Sequence, residues 1–281
     1  MRNGTNELFV GIRLVSGSDQ VSGYVSNAFW TSDLFGYRAT YHAKTRPATN
    51  QLGKYTTLLS GGDDAANGPL GEGFATLAIT TAGAVAIKGS LADGSALAQK
   101  TTMAGNGQTP VYVNLYKSKG SFFGWLNITN TATNDIPGLL LWTKKAGVVG
   151  NYCAAGFTNE VRSLGSRYQA PAAATAGVGL SDALLLLEGG NLTQVATNLA
   201  HLSALNKITF TGTNVAKLTL TLNPASGLLT GSFLNPQTLK STLIKGVVLQ
   251  RQVCGGGFFL GTNHTGAVYL GLEQDYPIFA P

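Results

Sequence analysis

His42, His201 and His264 are the only histidines in the 281-residue chain, so only three side chains have an ordinary titration near neutral pH. Nucleophilic catalysis needs a nucleophile, a base and a group that orients the base. No Gly-x-Ser-x-Gly elbow is present. His264, inside Gly261-Thr262-Asn263-His264-Thr265-Gly266, reads as a solvated hairpin-turn residue. Glycoside chemistry asks instead for two carboxylates facing each other across a cleft. The thirteen acids, among them Asp33, Asp93, Asp135, Glu188 and Asp275, fall mostly at turns, and no spacing pairs two of them.

Binding chemistry is better represented than catalysis. Trp30, Tyr37, Arg38, Tyr41 and His42 crowd one short stretch; aromatic rings stack on the apolar faces of sugars, and aromatic anchors beside Arg also suit protein interfaces. The alternation of Tyr37, Ala39 and Tyr41 against Arg38, Thr40 and His42 equally fits a half-buried strand whose rings face a core. The loop Ser60 to Pro69 brings Asp63, Asp64 and Asn67 together on glycine-rich backbone. Those are hard oxygen ligands of the kind calcium takes, although the spacing is not that of an EF-hand and a solvated hairpin loop has the same composition. Calcium is the one cofactor this reading suggests. Cys153 and Cys254, about a hundred residues apart, belong to no metal or redox motif. They are either one disulfide or two buried thiols; the bridge is the expectation in an oxidising compartment, with Gly255-Gly256-Gly257 giving the backbone room for it.

The elements that must position these residues are strands. One hairpin pattern occurs four times: alternating apolar residues, a glycine-containing turn, then a strand whose apolar residues flank a central glycine. The first strands carry Val10, Ile12, Leu14; Ala75, Leu77, Ile79; Val111, Val113, Leu115; and Leu218, Leu220, Leu222, and the returns are centred on Gly23, Gly89, Gly124 and Gly231. Residues two apart on a strand share a face, so the central glycines point where the apolar residues point, toward the core. An inward glycine lets a strand coil sharply, as a barrel requires. The expected fold is therefore all-β, with two antiparallel meander-type β-barrels. The first covers residues 1–146, a linker or strap covers 147–179, and the second covers 180–281. Thr158-Asn159-Glu160, followed by Val161, Leu164 and Tyr168, reads as the capped start of one short helix within the linker.

Composition narrows the class further. Charged residues make up 11% of the chain against roughly 25% for typical globular proteins, with Gly, Thr, Ser, Asn and Ala in their place. Such a neutral, hydroxyl-rich surface suits an extracellular or cell-surface setting. The net charge is +6, but the basic residues are scattered, the densest stretch running from Arg38 to Lys54, and no nucleic-acid reading element accompanies them. Nucleic acid is thus not an expected partner. No run approaches the ~18 apolar residues of a membrane helix, and the strands are too short and glycine-rich for a lipid-facing band. The start, Met1-Arg2-Asn3-Gly4, lacks the basic-then-apolar form of a signal peptide, so the chain reads as a module of a longer polypeptide.

The segments Gly53-Lys54-Tyr55-Thr56-Thr57-Leu58-Leu59, Gly71-Glu72-Gly73-Phe74-Ala75-Thr76-Leu77, Gly89-Ser90-Leu91-Ala92-Asp93-Gly94-Ser95 and Gly124-Trp125-Leu126 resemble a poorly characterised glycine-rich β-barrel module. It is found near the ends of very large secreted or surface proteins of environmental bacteria. Lys245-Gly246-Val247-Val248-Leu249-Gln250 and Gly257-Phe258-Phe259-Leu260-Gly261-Thr262 look like the same module type. The resemblance implies a secreted or cell-surface setting and a noncatalytic accessory role, and the expected function is that of an extracellular module in adhesion, display or glycan binding. It implies no catalytic residues and does not include the two cysteines. The partner expected is a polysaccharide or another surface protein. A structural subunit of a filament or layer and a polysaccharide-active enzyme with a spatially assembled site are the alternatives.

Overall fold

The computed structural model describes residues 7–62, 64, 67–129, 131–148, 152–172, 177–212, 215–276 and 278–279. A small sheet opens the chain: β1 (Phe9–Leu14), β2 (Gln20–Ser26) and β3 (Thr31–Tyr37), in that order. The first barrel follows, built from β4 (Gly53–Leu59), β5 (Gly73–Ile79), β6 (Ala84–Ser90), β7 (Ala96–Thr102), β8 (Gln108–Leu115), β9 (Gly120–Asn127), β10 (Gly138–Lys144) and β11 (Phe157–Tyr168). The second contains β12 (Asp182–Gly189), β13 (Ala196–Leu202), β14 (Ile208–Phe210), β15 (Ala216–Asn223), β16 (Leu228–Leu234), β17 (Ser241–Leu249), β18 (Cys254–Leu260) and β19 (Thr265–Gly271). Each set of eight is one antiparallel sheet curled into a nearly closed barrel. The orders are β7-β6-β5-β4-β11-β10-β9-β8 and β14-β13-β12-β19-β18-β17-β16-β15.

All four repeated hairpins are antiparallel pairs, and each central glycine lies opposite an apolar residue of its partner strand: Ile12 with Gly23, Ala75 with Gly89, Val111 with Gly124 and Leu220 with Gly231. A Cβ on Gly89 would run into the Phe74 carbonyl oxygen, and one on Gly231 into that of Thr219. The missing side chain lets neighbouring backbones close in, which is how the sheet coils tightly enough to curl round.

Two sequence expectations are corrected. Residues 9–37 stand outside the first barrel as the separate β1–β3 sheet, and the supposed helix within the 147–179 linker is the twelve-residue strand β11. Gly165 in this strand lies opposite Thr57 of β4, and the place of its side chain is taken by Ile136. β11 bridges β4 and β10, so removing it would open the barrel.

The two barrels pack wall to wall, with β4 and β5 against β17 and β18. Strands at this contact are buried on both faces and lose the apolar–polar alternation. In β17, Val248 faces its own core while Val247 and Leu249 join the core cluster of the first barrel; in β18, Phe259 and Phe258 divide in the same way. Phe258 stacks on Phe74 with ring centroids 6.1 Å apart, and Thr56 donates its hydroxyl hydrogen to the Val248 carbonyl at 2.6 Å. Among the described residues no helix is long and apolar enough to cross a membrane.

Candidate functional site

The aromatic stretch does not form one surface. Asn27 accepts hydrogen bonds from the Phe29 and Trp30 amides at 2.8 and 3.1 Å, fixing the β2–β3 turn and holding both rings in solvent; Trp30 is 48% exposed. Tyr37 ends β3 at its other extreme, roughly 20 Å away at the rise of an extended strand. The Tyr37 ring packs edge-on against Trp125 at 5.7 Å, which anchors the small sheet to the first barrel. Tyr41 is structural: it covers Gly83, and its hydroxyl donates to the Gly105 carbonyl at 3.3 Å. His42 Nδ1 receives the amides of Lys44 and Thr45, both at 3.4 Å, and so shapes a tight turn closed by mutual backbone bonds between His42 and Arg46.

That turn delivers Arg46 to a pocket of about 240 Å³ at the junction of the small sheet and the first barrel. Ser18, Asp19, Gln20, Tyr37, Arg38 and Arg46 line it, completed by Gly105 and Asn106 from the β7–β8 connection. Its geometry follows from strand register. Gln20 pairs with Tyr37, so the next step sets Asp19 against Arg38; the Arg38 amide donates to the Asp19 carbonyl at 2.7 Å and the side chains form an ion pair at 2.7 Å. Both side chains stay largely exposed, so the pair contributes little to stability but holds a carboxylate and a guanidinium side by side. One tyrosine, one carboxylate, two guanidinium groups and three uncharged polar side chains line a space of single-sugar size. Tyr37 and Arg38 were visible as candidates in sequence. Asp19, Arg46 and Asn106 were not, because only the hairpin register and a turn about sixty residues away bring them together.

Of the residues expected to hold calcium, Asp64 and Asn67 are described. Asp63 lies outside the described residues. Asp64 accepts a hydrogen bond from the Asn67 side-chain amide at 2.8 Å, and its backbone carbonyl takes the Asn67 and Gly68 amides. These contacts alone account for a closed polar turn. Among the described residues no three His, Cys, Asp or Glu side chains gather as a metal would require.

The disulfide expectation is overturned: Cys153 and Cys254 are free thiols. Cys254 opens β18 beside Tyr269, Asp275 and Glu72, whereas Cys153 sits in a left-handed turn next to Lys144 and Asp93. The Gly255-Gly256-Gly257 run serves close packing instead: a Cβ on Gly256 would collide with Leu58 of the first barrel, and one on Gly257 with the Lys245 carbonyl of neighbouring β17. Burial raises both thiols, with Cys254 pushed up to about 12. Only about one molecule in 10⁴ therefore carries a Cys254 thiolate at pH 8. Native protein treated with a thiol-reactive dye should label Cys153 slowly and Cys254 hardly at all, with two equivalents taken up once urea is added. No uptake at all by unfolded, unreduced chain would show that a bridge exists.

The fold and this pocket define an all-β protein of two fused eight-stranded barrels with a small appended sheet. No known family model and no curated protein matches the chain. A crystal structure of a DUF3598-family protein of unknown function from Nostoc punctiforme PCC 73102 aligns over 79% of this chain and 96% of its own. The identity is 10% and the TM-score 0.21, a likeness from which nothing about activity is taken.

Proposed function

We propose that this protein is a noncatalytic binding module that takes a glycan at the pocket formed by Asp19, Tyr37, Arg38 and Arg46. The pocket carries the reading: Tyr37, a fixed carboxylate–guanidinium pair and Arg46 line one cavity, so an aromatic residue and directed hydrogen-bond donors and acceptors are gathered there, the groups that sugar recognition uses. The lining holds one carboxylate, Asp19, where glycoside hydrolysis uses two. The low-charge, hydroxyl-rich composition and the resemblance to modules of large bacterial surface proteins support an extracellular or cell-surface setting. Adhesion or display is the role such a module would serve there.

The test is a glycan array followed by titration calorimetry on the strongest hit. Arg38→Ala is expected to weaken binding at least about tenfold, the scale of losing a charge-assisted hydrogen bond. Trp30→Ala, at the far end of β3, should leave it unchanged. Binding that survives both Arg38→Ala and Tyr37→Ala, or a panel with no binder, would reject the site.

A further inference from the structure

Five of the six residues of β1 are exposed, Val10, Ile12 and Leu14 to 56%, 63% and 80%, and the strand forms the outer edge of the small sheet. An exposed apolar edge is a template for pairing with another chain. What distinguishes this edge is that its charges complement a second copy of itself. Glu7 and Arg13 are the only charged residues between positions 7 and 14, and both are exposed. Neither forms an ion pair among the described residues. Their six-residue spacing sets them about 20 Å apart, on one face, when the strand continues back to Glu7. They cannot meet within one chain, but two copies of the strand laid antiparallel about Val10 put Glu7 of each opposite Arg13 of the other.

Strand register selects this arrangement from its neighbours. Directly opposed residues share a face, so a slip of one residue sets the apolar face of one copy level with the mixed face of the other. A slip of two sets either Arg13 against Phe9 or Glu7 against Gly11. In the register centred on Val10, Ile12 meets Leu8 on the apolar face and Phe9 meets Gly11 on the opposite one. Gly11 is prepared for that neighbour: a Cβ there would stand 2.4 Å from Tyr24 Cε1, so the Tyr24 ring reaches over the bare backbone toward the edge. An aromatic residue arriving opposite such a glycine finds a ring to lie beside.

We propose that this protein dimerises through β1, two copies pairing antiparallel about Val10 so that their three-stranded sheets join into one sheet of six strands. Backbone hydrogen bonds and the apolar pairs hold the contact. The two exposed Glu7–Arg13 pairs add little affinity, yet like charges set opposite each other oppose pairing, so these residues choose the register. The same patch serves both copies. The contact is therefore isologous and stops at the dimer.

Sedimentation equilibrium of the full chain over about 1–500 μM, the range suited to a small edge-strand contact, tests it. The wild type should pass from monomer to dimer as concentration rises and grow no further. Arg13→Glu places two acids opposite each other and Glu7→Arg places two arginines opposite each other; both changes lie on the surface, and each should weaken dimerisation at least about tenfold. Mixed in equal amounts, the two variants regain two opposite-charge pairs, and the mixture should dimerise as the wild type does. A wild type that is monomeric at the highest concentration, either variant dimerising as well as the wild type, or a mixture no tighter than its components would overturn the proposal. Mass growing past the dimer would overturn it too, and would point to β1 pairing head-to-tail with the other edge strand, β3.

Discussion

Replacing Arg251 with Met is expected to lower the unfolding free energy by about 3 kcal/mol, the lower end of what breaking a buried ion pair costs. The pair joins the barrels. Arg251 leaves β17, and its Nε donates to Asp135 Oδ2 at 3.0 Å while Nη2 stands 3.0 Å from Oδ1. Asp135 has no exposed surface. Its Oδ2 also accepts the Arg167 amide at 2.7 Å, but Oδ1 has no well-aligned hydrogen bond and relies on the guanidinium charge alone. Removing the arginine therefore leaves a carboxylate in the interior with half its solvation replaced. The arginine side chain is 37% exposed, and that screening sets the estimate at the low end of the range.

Asp135→Asn should cost less, about 1–2 kcal/mol, because the amide oxygen keeps the Arg167 hydrogen bond and the released arginine can reach water. The double variant should be more stable than the sum of the two single changes implies, by roughly 1 kcal/mol or more of coupling. Urea unfolding followed by tryptophan fluorescence measures all three. A loss below about 1 kcal/mol for Arg251→Met would show that the barrels are held by apolar packing and that the ion pair is incidental.

What the sequence disclosed, and what it withheld, follows the range of the interactions. Hairpins are local, so the pairing of Ala75 with Gly89 or of Leu220 with Gly231 was readable from alternation and one glycine. Closure is not local. β11 pairs with β4 across about a hundred residues, and its own residues pointed elsewhere: Thr158-Asn159-Glu160 imitates a helix cap, while Gly165 marks the space taken by Ile136 rather than a break. The small sheet misled for a different reason. Val10, Ile12 and Leu14 carry a core pattern without a core, and a pattern records what a face needs rather than whether the same chain provides it. At the candidate site the residues on β3 were legible by type. Their partners Asp19 and Arg46 were hidden, since single charges in turns look alike until the register aligns them.

Glu72 should make this protein lose stability as pH rises through the weakly acidic range, and Glu72→Gln should abolish that loss. Glu72 lies between the barrels at the entry to β5, its amide donating to the Gly257 carbonyl at 3.1 Å. Burial pushes its carboxyl up from 4.5 to about 7; two backbone hydrogen bonds hold it back, and Glu188 adds a smaller upward push. Glu188 itself accepts the Tyr276 hydroxyl hydrogen, and Cys254 and Asp275 lie in the same acidic surround. A carboxyl raised on folding keeps its proton in the native state while the unfolded chain has already lost it. Between pH 4.5 and 7 the native state therefore binds more protons, and stability falls with each step in pH; above 7 both states are ionised and the loss is complete. The shift corresponds to about 3 kcal/mol at most, and the partial exposure Glu72 retains reduces this to roughly 2 kcal/mol. The wild type and Glu72→Gln should thus melt together near pH 4.5 and separate progressively, the variant being more stable by roughly 2 kcal/mol at pH 8, or several degrees in melting temperature. Parallel curves across pH 4.5–8 would mean that the carboxylate finds solvent at the barrel contact, and that the wall between the barrels is looser there than its packing implies.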